Sequence, residues 1–357
     1  MTTGSSDGIS RAIDVANRIV KAQGNIFIKE FLRQKKRDNP AIRIGATKDV
    51  ILANLVAAIE QGAILGSDLE AWLSDVEGWG KQHVYLYRAT PKLGADDAWT
   101  SPDRLIARLT TTGLSRVWKQ GTSLDFPADL TLASIDYVDG QFEMVWRRRL
   151  EYWNRDMGKD KVPNREVIDG DVYEFRAYRQ QLDRSVARFV LRPRARKAAL
   201  FLQIPLADPS HNVAKETVRA VLAEILSVDE LKPVSVSKVI KAFDKMELDS
   251  GTGSAGVMLK ARNTKFAAKG ATVEFDVAPG NDAWKNVAAV RRVRRALDED
   301  SFTGDTAQFE VELSSVKGLV RSVVLSLSAK DKRLYFPSQM TADEVWSVID
   351  LTFSHAT

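Results

Sequence analysis

The 357-residue chain is 44% hydrophobic and 28% charged, which excludes wholesale disorder and leaves room for two domains. Cysteine is absent, which excludes disulfides, thiolate metal sites and cysteine nucleophiles and suits a reducing compartment. A net charge of +5 and a pI near 9.2 are mildly basic, compatible with nucleic acid without requiring it. Residues 1–10 lack the basic-then-apolar order of a secretory signal, and no apolar run approaches the roughly 18 residues that span a bilayer.

The first 90 residues read as helical. Ile9, Ile13, Ala16, Ile19 and Val20, then Ile26, Phe27, Phe31 and Leu32, follow a helical period, with Gly24 separating two helices. Arg33, Lys35, Lys36 and Arg37 end that segment, and Pro40 forbids simple continuation. Thr47 is placed to cap a helix with the apolar face Ile51, Leu52, Leu55, Val56 and Ile59, closed by Gly62. Ser67 and Glu70 make a capping-box pattern for a helix carrying Leu69, Trp72, Leu73 and Val76. Residues 83–87 (HVYLY) alternate as a strand does, residues 93–101 suit a linker, and 102–109 and 114–119 suit short helices.

From Leu130 the period changes to two. Residues 130–137 and 141–148, joined by a Val-Asp-Gly turn, predict a hairpin. Residues 172–178, 185–191 and 198–204 then read as three strands, followed by a helix over 213–226. The order recurs as strands at 307–313, 319–327 and 332–336 and a helix at 341–352, with Pro205 and Pro337 after the third strands. Between the two units lie a polar break at 249–255, a strand at 272–277 and a helix at 282–297; the early helix has no clear counterpart in the first unit. The expected fold class is therefore α+β. A helical domain (1–92) and a linker with short helices (93–125) precede two α/β repeats (126–250 and 251–357). These repeats are expected to form a duplicated antiparallel sheet with helices on one face, a binding platform more than a catalytic cleft.

Three arginine-rich clusters stand out. Arg192, Arg194, Arg196 and Lys197 fall at a turn between two strands, stiffened by Pro193, where guanidinium groups could reach DNA phosphates. A plain solvated turn fits the same residues. Arg147, Arg148 and Arg149 precede Tyr152, Trp153 and Arg155, a mixture that suits base stacking but also an ordinary amphipathic edge. Arg291, Arg292, Arg294 and Arg295 lie opposite Val287, Val290, Val293 and Leu297 on a helix, the pattern of a solvent-facing side.

Catalytic patterns are poorly matched. Gly251, Gly253 and Gly256 fit G-x-G-x-x-G but lack the preceding strand and following helix that a dinucleotide site needs, so they read as a flexible linker. His83, His211 and His355 are far apart in sequence, without partners at metal-ligand spacing. The nearest approach to a metal-dependent nuclease motif, Glu230-Leu231-Lys232, precedes Pro233, the wrong context. The reading assigns no catalytic residue, metal or cofactor.

Residues 47–76 (TKDVILANLVAAIEQGAILGSDLEAWLSDV) resemble the helical N-terminal region of the centromere protein N family, in which a Lys-led helix, a short turn and a second helix precede an aromatic-rich stretch. The resemblance implies a duplicated, curved sheet similar to that of the TATA-binding protein, and a chromatin or DNA-binding scaffold often paired with a related subunit. The family's nucleosome-contacting residues do not align here and none is carried over.

The expected function is a non-enzymatic nucleic-acid-binding scaffold, with DNA preferred to RNA. Arg192, Arg194, Arg196 and Lys197 are its first contact set, and Lys35, Lys36, Arg37 and Lys48 its second. The alternative is a protein-interaction adaptor or oligomerising subunit, using edge strands or the helix around Trp72. Both readings expect a cytoplasmic, nucleoid- or chromatin-associated protein without a membrane partner.

Overall fold

Thr47 caps its helix as the spacing predicts, its hydroxyl accepting the Val50 N–H in a computed structural model. The structure describes residues 4–22, 25–79, 81–120, 127–160, 164–249, 259–268, 271–276, 288–299, 302–312, 319 and 321–356. Four helices come first: α1 (Gly4–Ala22), α2 (Asn25–Asp38), α3 (Lys48–Glu60) and α4 (Gly66–Gly78). Their apolar faces meet in one core, including Val15, Ile19, Ile28, Leu32, Ile51, Leu55, Leu69 and Leu73. The expected capping box of Ser67 and Glu70 is displaced. Asp68 accepts the Leu65 N–H and pairs with Lys35 at 2.8 Å, so α4 begins with Leu65 as its cap. Gly24 and the glycines of 251–256 lie outside the described residues.

The strand expected at 83–87 is β1 (Gln82–Ala89), and it lies in the middle of an eleven-stranded sheet. The stretch expected as a linker folds onto that sheet. It forms α5 (Pro91–Ala95) and α6 (Pro102–Thr111), burying Leu93, Trp99, Leu105 and Leu109. The predicted hairpin is β2 (Thr131–Val138) and β3 (Gln141–Arg155), turned through Asp139 and Gly140 at φ of 51° and 76°, the left-handed pair that a tight hairpin requires.

The expected strand at 172–178 does not enter the large sheet. Instead β4 (Arg165–Ile168) and β5 (Asp171–Glu174) pair only with each other, and β3 takes the place beside β6 (Tyr178–Arg192). There follow β7 (Lys197–Leu202), α7 (Ser210–Ile225), β8 (Leu231–Pro233), α8 (Val236–Asp249), β9 (Leu259–Ala268) and β10 (Ala271–Asp276). The described residues end with α9 (Ala288–Glu299), β11 (Thr303–Val311), β12 (Val323–Ser328), β13 (Arg333–Phe336) and α10 (Ala342–Ser354). Strand order is β10-β9-β11-β12-β13-β1-β7-β6-β3-β2, all antiparallel, with β8 also on β1.

Helices lie on both faces of this sheet, not on one. The odd side chains of β1 (Tyr85, Ala89) meet α7 and α6 in one core; the even ones (Val84, Leu86) meet α8 and α10 in another. The reason is topological. β7 and β13 flank β1 and each runs antiparallel to it, so they run parallel to each other. Two meanders thus approach β1 from opposite sides with their last strands parallel, and the helices that follow them, α7 and α10, fall in the two different cores. The β6–β7 half is covered on both faces, by α6 and α7 on one and by α10 and Trp79 on the other.

Candidate nucleic-acid interface

Register across the sheet creates a constellation that no local motif announces. Lys232 on β8 opposes Arg88 on β1, Arg88 opposes Lys197 on β7, and Lys197 opposes Arg192 on β6. Directly opposed residues share a face, here the α10 face, so four cations lie in one cross-strand row. Like charges directly opposite destabilise a sheet unless something answers them. Here α10 answers in part. Asp350 meets Lys197 at 2.6 Å and Arg192 at 3.5 Å, and the Phe353 carbonyl accepts from Arg88 at 3.4 Å. The Phe353 ring lies under Arg88 and Lys197, and Trp346 lies 3.5 Å from the Arg192 guanidinium carbon. Burial holds Arg192 below the usual arginine range, although Asp350 and Asp343 oppose the shift.

The β6–β7 turn projects beyond this row. Pro193 is buried, whereas Arg194 and Arg196 are exposed. Arg196 has φ of 51°, donates its N–H to the Pro193 carbonyl and accepts from the Ala89 N–H, which fixes the turn against β1. The first contact set thus divides: Arg194 and Arg196 face solvent, and Arg192 and Lys197 are held by α10. The second set lies on α2 and α3. Lys35 is paired with Asp68, while Lys36, Arg37 and Lys48 are exposed. Sequence reading missed Arg88 and Lys232. Alternation in HVYLYR gives Arg88 its face, but only strand pairing brings it beside Lys197.

The other arginine clusters resolve differently. Arg147 is buried on the α10 face, and Arg149 pairs with Glu151 at 2.7 Å. Trp153 is 64% exposed on the distal end of the β3–β6 ribbon. On α9 Arg292 and Arg295 face solvent and Leu297 is buried, as expected, but Arg294 and Val293 exchange roles. Arg294 is fully buried between Asp244 and Glu247 of α8, while Val293 is exposed. Two buried carboxylates one helical turn apart attract the guanidinium more strongly than the core attracts one valine.

The histidines also come together. Tyr85 donates to His211 Nε2 at 2.8 Å, and His211 Nδ1 donates to the Ile204 carbonyl at 2.7 Å. The His83 ring stacks on Tyr335 and meets His211 edge-on at 5.1 Å. Arg333 donates to His83 Nδ1 at 2.8 Å, so that nitrogen is unprotonated. Burial and then Arg333 lower the His83 pKa to about 4. This network occupies both nitrogens of His211 and Nδ1 of His83 with internal partners, and among the described residues no three His, Asp or Glu side chains gather to hold a metal.

The fold and this surface define an α+β protein built on one large antiparallel sheet with a cationic edge. No protein-family model matches the chain, and no curated protein is significantly similar to it. Among the described residues no helix is long and apolar enough to cross a membrane.

Proposed function

We propose that the chain is a non-enzymatic nucleic-acid-binding scaffold that grips a DNA backbone with the β6–β7 turn and the cation row behind it. One observation carries the reading. Six cations from four strands and one turn (Lys232, Arg88, Lys197, Arg192, Arg194 and Arg196) converge on one edge, where Asp350 offsets only part of their charge. Such an edge gains from counterion release when it meets phosphates. The likeness of residues 47–76 to the centromere protein N family agrees with a chromatin-associated scaffold, in the nucleoid or nucleus or free in the cytoplasm.

Fluorescence anisotropy with labelled duplex DNA at about 50 and 200 mM salt tests the reading. Arg194→Glu with Arg196→Glu is expected to weaken binding to every sequence and to lower the log–log salt slope by about 2. Unchanged affinity and slope would remove the turn from the interface.

A second reading, the interaction adaptor, has its own support. Eight exposed large hydrophobic residues, Trp153, Met157, Val167, Ile168, Val172, Tyr173, Phe175 and Tyr178, fall on the distal β3–β6 ribbon and the β4–β5 hairpin. A two-stranded hairpin is marginal alone in water, and such a patch suits a protein partner. The helix around Trp72 is less suited, since that indole stacks on Phe31 at 3.9 Å. Light scattering over a concentration series tests self-association. Mass that rises with concentration, and does not in Trp153→Ser with Tyr178→Ser, is the expected adaptor result; a constant monomer mass excludes a self-pairing ribbon.

A further inference from the structure

On the α10 face of β2, β3 and β6 lies a cleft of about 490 Å³, closed by Trp79, Lys119, Gln120 and the first turn of α10. Its floor contains two guanidinium–indole pairs. Arg188 lies 4.2 Å from the Trp79 ring centre and Arg192 lies 3.5 Å from that of Trp346. Both indoles meet Phe201 edge-on, so the pairs are anchored to the sheet. Gly78 makes the first pair possible, because a Cβ there would sit 2.0 Å from an Arg188 nitrogen. Arg147 adds a third guanidinium to the lining and Lys119 an exposed ammonium at the mouth.

Three carboxylates also line the cleft. Glu143 lies 2.9 Å from Arg188 Nε, and Asp136 accepts the Tyr137 N–H at 2.7 Å. Asp343 is exposed at the rim, at the start of α10, whose positive dipole end opens there. Four cations (Lys119, Arg147, Arg188 and Arg192) against these three carboxylates leave the lining one charge positive, which favours an anion. A guanidinium already stacked on an indole is a flat platform for a base, and its edge keeps donors for phosphate oxygens. The volume matches a small ligand, not a duplex, whose double helix cannot enter a cavity of this size.

We infer that this cleft binds a single nucleotide carrying a terminal phosphate, either free or as the 5′ end of a strand. The inference deepens the nucleic-acid reading and shares Arg192 with it, but otherwise stands on Arg188, Lys119, Trp79 and Trp346 in place of the β6–β7 turn. The base rests on a guanidinium plane and the phosphate lies towards Lys119 and the α10 N-terminus.

Isothermal titration calorimetry of the full chain with adenosine 5′-monophosphate, adenosine and inorganic phosphate tests it. Short oligonucleotides with and without a 5′-phosphate form the second arm. The monophosphate is expected to bind more tightly than adenosine or phosphate alone, or else the 5′-phosphorylated strand more tightly than its 5′-hydroxyl twin; these outcomes identify the free and the strand-end source. Lys119→Glu, at an exposed position away from the core, is expected to weaken that binding about tenfold. Asp343→Asn is expected to strengthen it, an inversion of sign that mere loss of folding cannot produce. The turn variant Arg194→Glu with Arg196→Glu is expected to leave it unchanged, which separates failure of the cleft from failure of the duplex interface. The inference is overturned if neither monophosphate nor 5′-phosphate is preferred at millimolar concentration. It is equally overturned if binding occurs but is indifferent to both Lys119→Glu and Asp343→Asn.

Discussion

Replacing Arg294 by leucine is expected to destabilise the protein by about 3–5 kcal/mol at neutral pH, the largest effect of any single substitution considered. The side chain is fully buried and bonds Asp244 through two nitrogens and Glu247 at 2.6 Å. Leucine fills much of the volume but removes the guanidinium that pairs with both buried carboxylates. Removing one partner from a buried ion pair costs the desolvation of the charge left behind, which exceeds what the intact pair contributes. Urea denaturation of Arg294→Leu alone, and combined with Asp244→Asn and Glu247→Gln, separates charge from shape. The combined variant is expected to recover most of the loss, because neutral groups carry no ionic desolvation cost. If the single variant loses less than about 1 kcal/mol, the cluster contributes little to holding α9 on α8.

His83 gives the second large effect, in acid. Its pKa is lowered to about 4 from an ordinary value of 6.5, by burial and then by Arg333. The unfolded chain therefore takes up this proton before the folded one does. Stability from the neutral imidazole is fully present above pH 6.5, is withdrawn as pH falls, and is gone once pH passes about 4; the integrated loss is about 3 kcal/mol. Denaturation midpoints between pH 7.5 and 4.5 are expected to fall steeply in the parent chain and less steeply in His83→Phe, whose ring can still stack on Tyr335. His211, also lowered by burial, leaves a residual slope in that variant. An identical pH dependence in the two proteins would place the acid sensitivity elsewhere.

What the sequence disclosed was local. Thr47 caps α3 three residues before the N–H it accepts, and the Asp139–Gly140 turn specifies its hairpin through backbone angles. Both depend on neighbours within a few positions. The cation row, by contrast, needs Arg88 and Lys232 brought into register with a turn far along the chain. Arg294 was misplaced for the same reason: hydrophobic periodicity along α9 points Val293 inward, while the carboxylates that reverse the choice lie 50 residues earlier at Asp244. Tyr85 and His211 are 126 residues apart, so spacing alone could not show them as one network. The order of three strands and a helix was legible at 307–352, whereas in the first unit the segment 172–178 reads as a strand of the large sheet that β3 in fact supplies. The face on which each helix lands was not legible, because it depends on β1 standing between the two halves.

That central position also dictates when the molecule can be completed. One side of β1 is closed by β7, but the other waits for β13, and His83 and Arg333 are 250 residues apart. During synthesis the first half can assemble around β1 while an open edge of Gln82, His83 and Val84 remains unpaired until the ribosome has made Phe336. An unpaired edge at the centre of a nascent sheet is a template for the wrong strand. Slow closure of a long loop, together with an early demand for chaperone protection of that edge, is thus built into the strand order itself.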